Sequence, residues 1–471
     1  MKNKIIITAF GLCSMFFTTS CNDWLDVIPQ AQVSSDKIFS TPEGYESVLR
    51  GIYISMTEPN AYGKQSTFGL MDVLAQYYTV FSNKHHELYE ASVYNYQNDN
   101  SRRAIDAMWL NHYNSIANCN ILLEYMEGKD DLFFEGNQRN KIAGEVIAIR
   151  AYLHFDLLRA FALNYQTNPE TMGIPYAESF YQKIHKQLKS SEVLDKVIAD
   201  LNKAKELLAF TKDAEELNRH RFNYYSVVAL LARTYDYYGK KAEALACAKE
   251  IIENVSLDGE SSKKYSFTPE RYFTAALKDR DVTTRSEQIF SLASNDVKNT
   301  FYYADADLST AFVLLEPENI YTDPDDFRKH LYGKSEGSGK VVSYKYYKVP
   351  GTNGYEGDIP MLHISEMYLL AAVNSFDTNP EEAAGYLQTL RKMRGASQKV
   401  NGQTYQGLLK ELTLEARREF LGEGQLFYWY KRHNLPIERQ GASITLTKEQ
   451  SCLPMPANEI EFGNRIEDYL K

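Results

Sequence analysis

The chain has 471 residues, a formal net charge of −10 and 44% hydrophobic residues. This length exceeds the size at which one hydrophobic core usually stops growing, so one large domain or two are expected. The negative charge is spread along the chain, which argues against a nucleic-acid partner and disfavours strongly anionic ligands. Beyond the N-terminal region the cysteines are Cys119, Cys247 and Cys452, whose scattered positions form neither a disulfide framework nor a metal-binding spacing.

The N-terminus has the features of a secretory signal peptide. Two lysines precede an apolar run over residues 5–17, and small residues lead up to Cys21. The run is too short to cross a bilayer, which needs about 20 apolar residues. A cysteine at the cleavage position predicts a bacterial lipoprotein, in which residues 1–20 are removed and lipidated Cys21 holds the protein on a membrane. Thr18 matches the lipoprotein pattern loosely, and the alternative is an ordinary signal peptide with an incidental cysteine.

Residues 21–45 are predicted to form a tether and entry segment, after which helical patterns dominate. Ser40 and Thr41 followed by Pro42 and Glu43 are typical of a helix start. Apolar residues at three- and four-residue steps predict further helices over 104–126, 139–165, 191–210, 221–239, 360–376, 380–394 and 405–433. The sequence therefore predicts a helical scaffold over about residues 104–254 and 360–433.

The clearest helical pattern predicts a hairpin around Gly239. A helix ends at this glycine, and the next helix carries Ala242, Ala244 and Ala246, whose small side chains let two helices pack closely. The pattern resembles a tetratricopeptide repeat unit, and such units stack into curved scaffolds. A fainter copy covers residues 366–394. The alternative is an ordinary helical hairpin in an all-α domain.

Residues 255–359 differ from the flanking helices because they are weakly periodic and rich in Gly, Asp, Ser and Tyr. Short β-like runs cover residues 288–292 and 341–345. Long irregular segments inside a helical domain are uncommon and tend to be functional. We therefore predict that this region carries ligand-binding loops.

A search for catalytic and metal-binding patterns favours neither an enzyme nor a cofactor. The segment 333–340 hints at a phosphate-binding loop, but its glycine spacing is one residue too long and Val341 stands where a magnesium-binding hydroxyl is needed. Asp323, Asp325 and Asp326 lack the glycine and the closing glutamate of a calcium loop. The pair His85 and His86 has no third ligand nearby in sequence. The sequence predicts no catalytic residue, metal or cofactor.

Aromatic residues provide a better indication of function, because the chain holds 35 tyrosines and 23 phenylalanines. Tyrosine offers a flat face for a sugar ring and a polar tip for its hydroxyls. Any single tyrosine is more often a core residue, whereas the two clusters as wholes are balanced between core and ligand contact. The predicted ligand-binding residues are Tyr77, Tyr78, Phe81, His85, Tyr89, Tyr302, Tyr303 and Tyr321.

Several motifs in order give the chain its resemblance to a known family. The chain after the signal begins Cys21-Asn-Asp-Trp24-Leu25-Asp26, and later motifs cover residues 148–175, 286–290, 325–328, 415–424 and 453–460. In this order they resemble the SusD/RagB family of outer-membrane nutrient-binding lipoproteins of the Bacteroidetes, over nearly the whole chain from Cys21. His363 in place of an arginine, an altered segment after Gln425 and a missing closing signature depart from the family pattern and blur the subfamily.

The resemblance implies a fold, a role and a location. The fold is an all-α-dominated SusD-like domain over residues 46–471, with tetratricopeptide-like helical hairpins and a long irregular loop region with a few short strands. The role implied is a cell-surface lid on a TonB-dependent (SusC-like) outer-membrane barrel that captures a glycan for import. The protein would be lipid-anchored in the outer membrane, and the acidic residues after Cys21 suit export to the surface. The family has no ligand motif that can be transferred to this chain.

Three alternatives remain at this stage. RagB-like members capture peptides, and the motifs do not separate peptide from glycan. A helical-repeat scaffold in an envelope complex would bind a protein partner and no small ligand. An enzyme is the least favoured, since no constellation of residues supports it.

Overall fold

The computed structural model describes residues 35–466, apart from 134–135, 182–183, 259–261, 308, 337, 347–356 and 402, and leaves the side chains of 302–306 undescribed. The predicted signal peptide and Cys21 lie outside the described residues. The chain divides into two units, residues 1–45 and residues 46–471. In the first unit the rings of Phe39 and Tyr45 pack with their centroids 4.9 Å apart. None of the described helices is long and apolar enough to span a membrane.

Helices dominate the described part of the chain, as the sequence predicts. In chain order they are α1 (Ser35–Ile38), α2 (Pro42–Met56), α3 (Leu70–Leu74), α4 (Tyr89–Ser92), α5 (Asp99–Met126), α6 (Gln138–Phe161), α7 (Ser190–Leu207), α8 (Tyr224–Tyr238), α9 (Lys241–Ile252), α10 (Glu270–Thr274), α11 (Val297–Ala306), α12 (Pro317–Ile320), α13 (Ile364–Ser375), α14 (Pro380–Met393), α15 (Tyr405–Glu419), α16 (Leu426–Arg432) and α17 (Ala457–Phe462).

Short strands pair two by two and build no large sheet within the described residues. They are β1 (Met172–Pro175), β2 (Gln187–Lys189), β3 (Val255–Ser256), β4 (Tyr265–Ser266), β5 (Gln288–Ser294), β6 (Tyr332–Lys334), β7 (Val341–Ser343), β8 (Gly357–His363), β9 (Ile437–Arg439) and β10 (Ala442–Ile444). The longest pair is β5 with β8, antiparallel, in the middle of the protein core. The predicted fold class, helical with a few short strands, is confirmed.

The predicted hairpin at Gly239 is confirmed. Gly239 has a φ of +84°, a left-handed conformation that glycine adopts without steric cost, and it ends α8. Within α8, Arg233 forms a buried bidentate ion pair with Glu366 of α13 at 2.6 and 2.7 Å. The hairpin is thereby fixed against the second predicted hairpin, α13–α14. In that hairpin Asn379 caps α14 by accepting a hydrogen bond from the backbone N–H of Glu382.

Two predicted helix boundaries are wrong. The segment 360–376 is strand β8 up to His363 and helix only afterwards. The predicted helix over 405–433 is two helices, because Gly422 and Gly424 adopt φ of +84° and +70° and break it. This break is held by Asp72, whose carboxylate accepts the backbone N–H groups of both glycines at 2.7 and 2.9 Å.

A buried network of ion pairs joins the irregular region to the helical scaffold. Arg394 donates to both carboxylate oxygens of Glu287 and of Glu419 at 2.6–2.8 Å. Arg328 contacts Glu415 and Glu419, each at 2.6 Å, and pairs with its neighbour Asp326. The Asp326 carboxylate of the predicted acidic cluster is thus structural. No group of three or more described His, Cys, Asp or Glu side chains could hold a metal ion.

The network makes stability sensitive to acid. Burial alone would raise the pKa of Glu419, but Arg394 and Arg328 lower it well below its ordinary value, and arginines likewise lower the pKa of Glu415. A carboxyl with a lowered folded-state pKa stabilises the fold above its unfolded pKa of about 4.3 and loses that contribution as the pH falls. We therefore expect the free energy of unfolding from urea titrations to be lower at pH 4 than at pH 7. A value unchanged between the two would contradict this account.

The last third of the chain closes over the first helices. The Lys431 ammonium group is buried and donates to the carbonyl oxygens of Arg159 and Ala162, at the C-terminal end of α6. Carbonyls at a helix C-terminus lack intrahelical partners and carry partial negative charge, so a cation here is favourable. Tyr96 also donates to the carbonyl oxygen of Gln450 at 2.8 Å.

Candidate functional site

Three segments that are distant in sequence lie side by side at one edge of the irregular region. Backbone hydrogen bonds join residues 77–87 to residues 309–315: Thr79 N–H to Val313 O at 2.9 Å, and Glu87 N–H to Ser309 O at 2.9 Å. Leu314 N–H then donates to Val341 O at 2.8 Å. The segment 309–315 is therefore held between its two neighbours in a strand-like arrangement.

A cleft of about 400 Å³ opens along these segments. Its lining residues come from all three segments and are Thr79, Val80, Ser82, Asn83, His85, His86, Ser309, Ala311, Val313 and Lys340. Val80 and Ala311 are buried and supply apolar surface, whereas Ser82, His85 and Lys340 are exposed. An apolar wall with a polar margin is the usual composition of a small-ligand site, and the volume suits one or two sugar rings.

Buried aromatic rings support this cleft from behind. Phe312 packs against Phe68, Tyr78 and His86 with ring centroids 5.2–5.6 Å apart. Phe301 of α11 completes the group against Phe68 at 5.2 Å. Mutually packed rings of this kind resist displacement, so the backbone that lines the cleft is held in place before a ligand arrives.

His86 brings a neutral hydrogen-bonding group to the lining. Its Nδ1 accepts the backbone N–H of Leu88 at 3.0 Å, which leaves the proton on Nε2. Burial lowers the pKa of His86, against the opposing effects of Glu87 and of the nearby carbonyl groups of Thr310 and Ala311, so the ring is uncharged at neutral pH. Among the described residues its Nε2 has no hydrogen-bond partner. Such a group is available to a ligand hydroxyl or anionic oxygen.

Three of the predicted ligand residues lie in the core. Tyr77, Tyr78 and Tyr321 are 0%, 2% and 6% exposed. The hydroxyl of Tyr77 donates to the carbonyl oxygen of Arg417, and that of Tyr321 to the carbonyl oxygen of Arg418. A ring that stacks on a sugar needs an exposed face, so these three residues belong to the wall behind the cleft and not to the ligand set.

The other predicted residues are nearer the surface. His85 is exposed and lines the cleft, and the half-buried Tyr89 begins α4. Phe81 is half-buried, with the guanidinium of Arg439 over its ring at 4.4 Å. Tyr302 and Tyr303 lie on α11, whose side chains at these positions are outside the described part, so their ligand role stays a prediction.

Sequence reasoning missed most of the lining. Thr79, Ser82, Asn83, Ser309 and Lys340 are common surface residues with no distinctive spacing. They meet only because the backbone pairing brings residues 79–83 and 309–340 together. The available signal was position: all five lie in, or beside, the two aromatic-rich segments.

Comparisons with known proteins agree with this architecture. Residues 23–235, slightly under half of the chain, match a SusD-like family described as starch-binding and associating with the outer membrane. No curated protein matches the chain.

Solved structures match over almost the full length. A SusD superfamily protein from Bacteroides thetaiotaomicron aligns with a TM-score of 0.74 and 23% identity, over 90% of this chain and 98% of its own. A SusD-like carbohydrate binding protein from Bacteroides vulgatus aligns with a TM-score of 0.73 and 18% identity, over 91% and 98%. Surface glycan-binding protein A from Bacteroides thetaiotaomicron aligns with a TM-score of 0.67 and 16% identity, over 91% and 99%.

At these identities the solved structures establish the fold, and the sequence match over residues 23–235 supplies the family. The motifs in the second half of the chain follow in the order that the resemblance implies. The protein is a member of the SusD family.

Proposed function

We propose that this protein is a lipid-anchored surface protein that captures a glycan in the cleft between residues 79–86, 309–313 and Lys340. The observation that carries the proposal is the cleft itself, which has an apolar floor, a polar margin and a rigid aromatic support. Sugars present both C–H faces and hydroxyl groups, and this composition offers partners for both. The family description and the glycan-binding neighbour support a carbohydrate over a peptide.

The proposed context is the outer membrane, where the protein would be a lid on a TonB-dependent barrel. The family associates with the outer membrane. A lipid on Cys21 would keep the protein beside such a barrel, and captured glycan would then be passed on for import. A role in capture needs no catalytic group, which is consistent with the absence of any catalytic motif in the sequence.

Binding of immobilised polysaccharides by the chain without residues 1–21 tests the capture role. We expect one class of glycan to retard it in affinity electrophoresis. The double variant Asn83→Ala/His85→Ala, which removes two polar side chains of the lining, should weaken that binding about fivefold or more, because each lost hydrogen bond costs about 1 kcal/mol. The melting temperature should change little, since His85 is exposed and Asn83 lies in a surface turn.

The control is Tyr181→Ala, which removes an aromatic side chain that is 72% exposed and does not line the cleft. It should leave binding unchanged. The variant Tyr302→Ala/Tyr303→Ala asks whether α11 adds ligand contacts: weaker binding with an unchanged melting curve would support a ligand role, and a collapse in stability would assign these rings to the core. No binding to any glycan would favour the scaffold alternative.

A further inference from the structure

The lining of the cleft has a charge opposite to that of the chain. The whole protein carries 62 acidic against 52 basic side chains. The lining contains one lysine and two histidines, and none of its described residues is acidic. A site for a neutral glycan in an acidic protein has no need to exclude carboxylates in this way.

Lys340 is the charged group that is free to act. Its backbone is fixed in the turn between β6 and β7, where Ser335 N–H donates to its carbonyl oxygen at 2.8 Å. Its side chain is exposed at the cleft, and none of the described residues forms an ion pair with its ammonium group. The lysine therefore presents an uncompensated positive charge from a fixed backbone position.

The acidic residues beside the cleft are already engaged. Glu87 forms an ion pair with Lys64 at 2.5 Å. The carboxylate of Asp307 accepts the backbone N–H of Ser309 at 2.8 Å, and this hydrogen bond lowers the pKa of Asp307. Neither carboxylate is among the groups that line the cleft.

The negative charge of the whole protein does not decide the issue. Charges separated by more than about 8 Å are largely screened at physiological ionic strength, whereas a direct contact is screened much less. A carboxylate or sulfate that reaches Lys340 would therefore be attracted locally, despite the overall charge. The Nε2–H of His86 would add a second donor within the same cleft.

We propose that the glycan captured here is anionic, with a uronate carboxylate or a sulfate ester on its repeat, and that Lys340 binds this group. The inference rests on the proposed glycan-binding function and names the substrate class of that cleft. A lysine is a point charge that accepts either group, so the chemistry common to both is the negative oxygen.

Matched pairs of polysaccharides test the proposal. The probes are polygalacturonate, alginate and chondroitin sulfate, each beside its carboxyl-reduced form, chondroitin sulfate also beside its desulfated form, with starch, galactan and xylan as neutral glycans. We expect calorimetry to detect binding of an acidic probe and at least tenfold weaker binding of its neutralised form. Which treatment weakens binding distinguishes carboxylate from sulfate.

The variant Lys340→Gln should weaken binding of the acidic probe about five- to tenfold and leave binding of the neutralised form unchanged. Its control is Lys334→Gln, an exposed lysine on the same hairpin that does not line the cleft, which should bind like the wild type. Binding of neutral glycans only, or equal loss in both lysine variants, would overturn the inference while leaving glycan capture standing. Equal binding of poly-glutamate would overturn it in favour of an acidic peptide, and no glycan binding at all would end both proposals.

Discussion

Replacing Arg394 with methionine should lower the free energy of unfolding by about 3–5 kcal/mol, which is the cost of breaking a buried ion pair from one side. Arg394 is 1% exposed and contacts two carboxylates, Glu287 and Glu419, which are themselves buried. Its removal leaves Glu287 without this partner and Glu419 with fewer donors. A buried carboxylate without sufficient donors is strongly unfavourable, so the fold must either protonate it or admit water. Urea unfolding followed by circular dichroism measures the loss.

The matched control for this variant is Lys241→Met. Lys241 pairs with Asp377 at 2.6 Å, a distance like those around Arg394, but the two side chains are 43% and 60% exposed. An exposed pair contributes less than about 1 kcal/mol, because water solvates both charges when the pair is broken. Similar losses in the two variants would contradict the central role given to the buried network.

Replacing Gly424 with alanine should cost about 2–4 kcal/mol, the sum of a left-handed backbone and overpacking. Gly424 has a φ of +70°, and a Cβ there would lie 2.2 Å from the carbonyl oxygen of Ser66. The backbone must move to relieve this contact, which would disturb the hydrogen bond from Gly424 N–H to Asp72. Thermal unfolding monitored by calorimetry measures the effect.

Two glycines separate the contributions to that loss. Gly441 has a φ of +74°, but nothing lies within 4 Å of the position that a Cβ would take, so Gly441→Ala should cost only the conformational strain of about 1 kcal/mol. Gly385 lies within α14 in helical conformation with open space around it, and Gly385→Ala should stabilise the protein by about 0.5–1 kcal/mol. If Gly424→Ala costs no more than Gly441→Ala, the close approach to Ser66 is not limiting.

The periodic parts of the fold could be predicted from the sequence because their information is local. The spacing of apolar residues predicts α5 to α8 within a few residues, and Gly239 predicts the turn of the first hairpin. The helix break at Gly422 and Gly424 was missed because glycine alone does not show which conformation the chain will adopt. The conformation there depends on Asp72, which lies 350 residues away.

The candidate site was predicted by region and not by residue. The aromatic-rich segments do flank the cleft, but the most buried tyrosines among them are held by backbone carbonyls of α15, which no local pattern reveals. Small polar residues such as Ser82 and Ser309 gain their role only from the pairing of their segments. The charge of the lining was hidden in the same way, since the composition of the whole chain indicates the opposite sign.

The closure of the early helices by late residues sets an order for folding. Asp72 needs Gly422 as its partner, and the end of α6 needs Lys431, so the first half of the chain cannot complete its core during its own synthesis. A chain that emerges N-terminus first must keep this apolar surface unassembled until nearly all of it is available. For an exported protein that delay is useful, because a polypeptide must cross the inner membrane unfolded. The same long-range contacts that stabilise the finished fold would thus keep the chain fit for secretion.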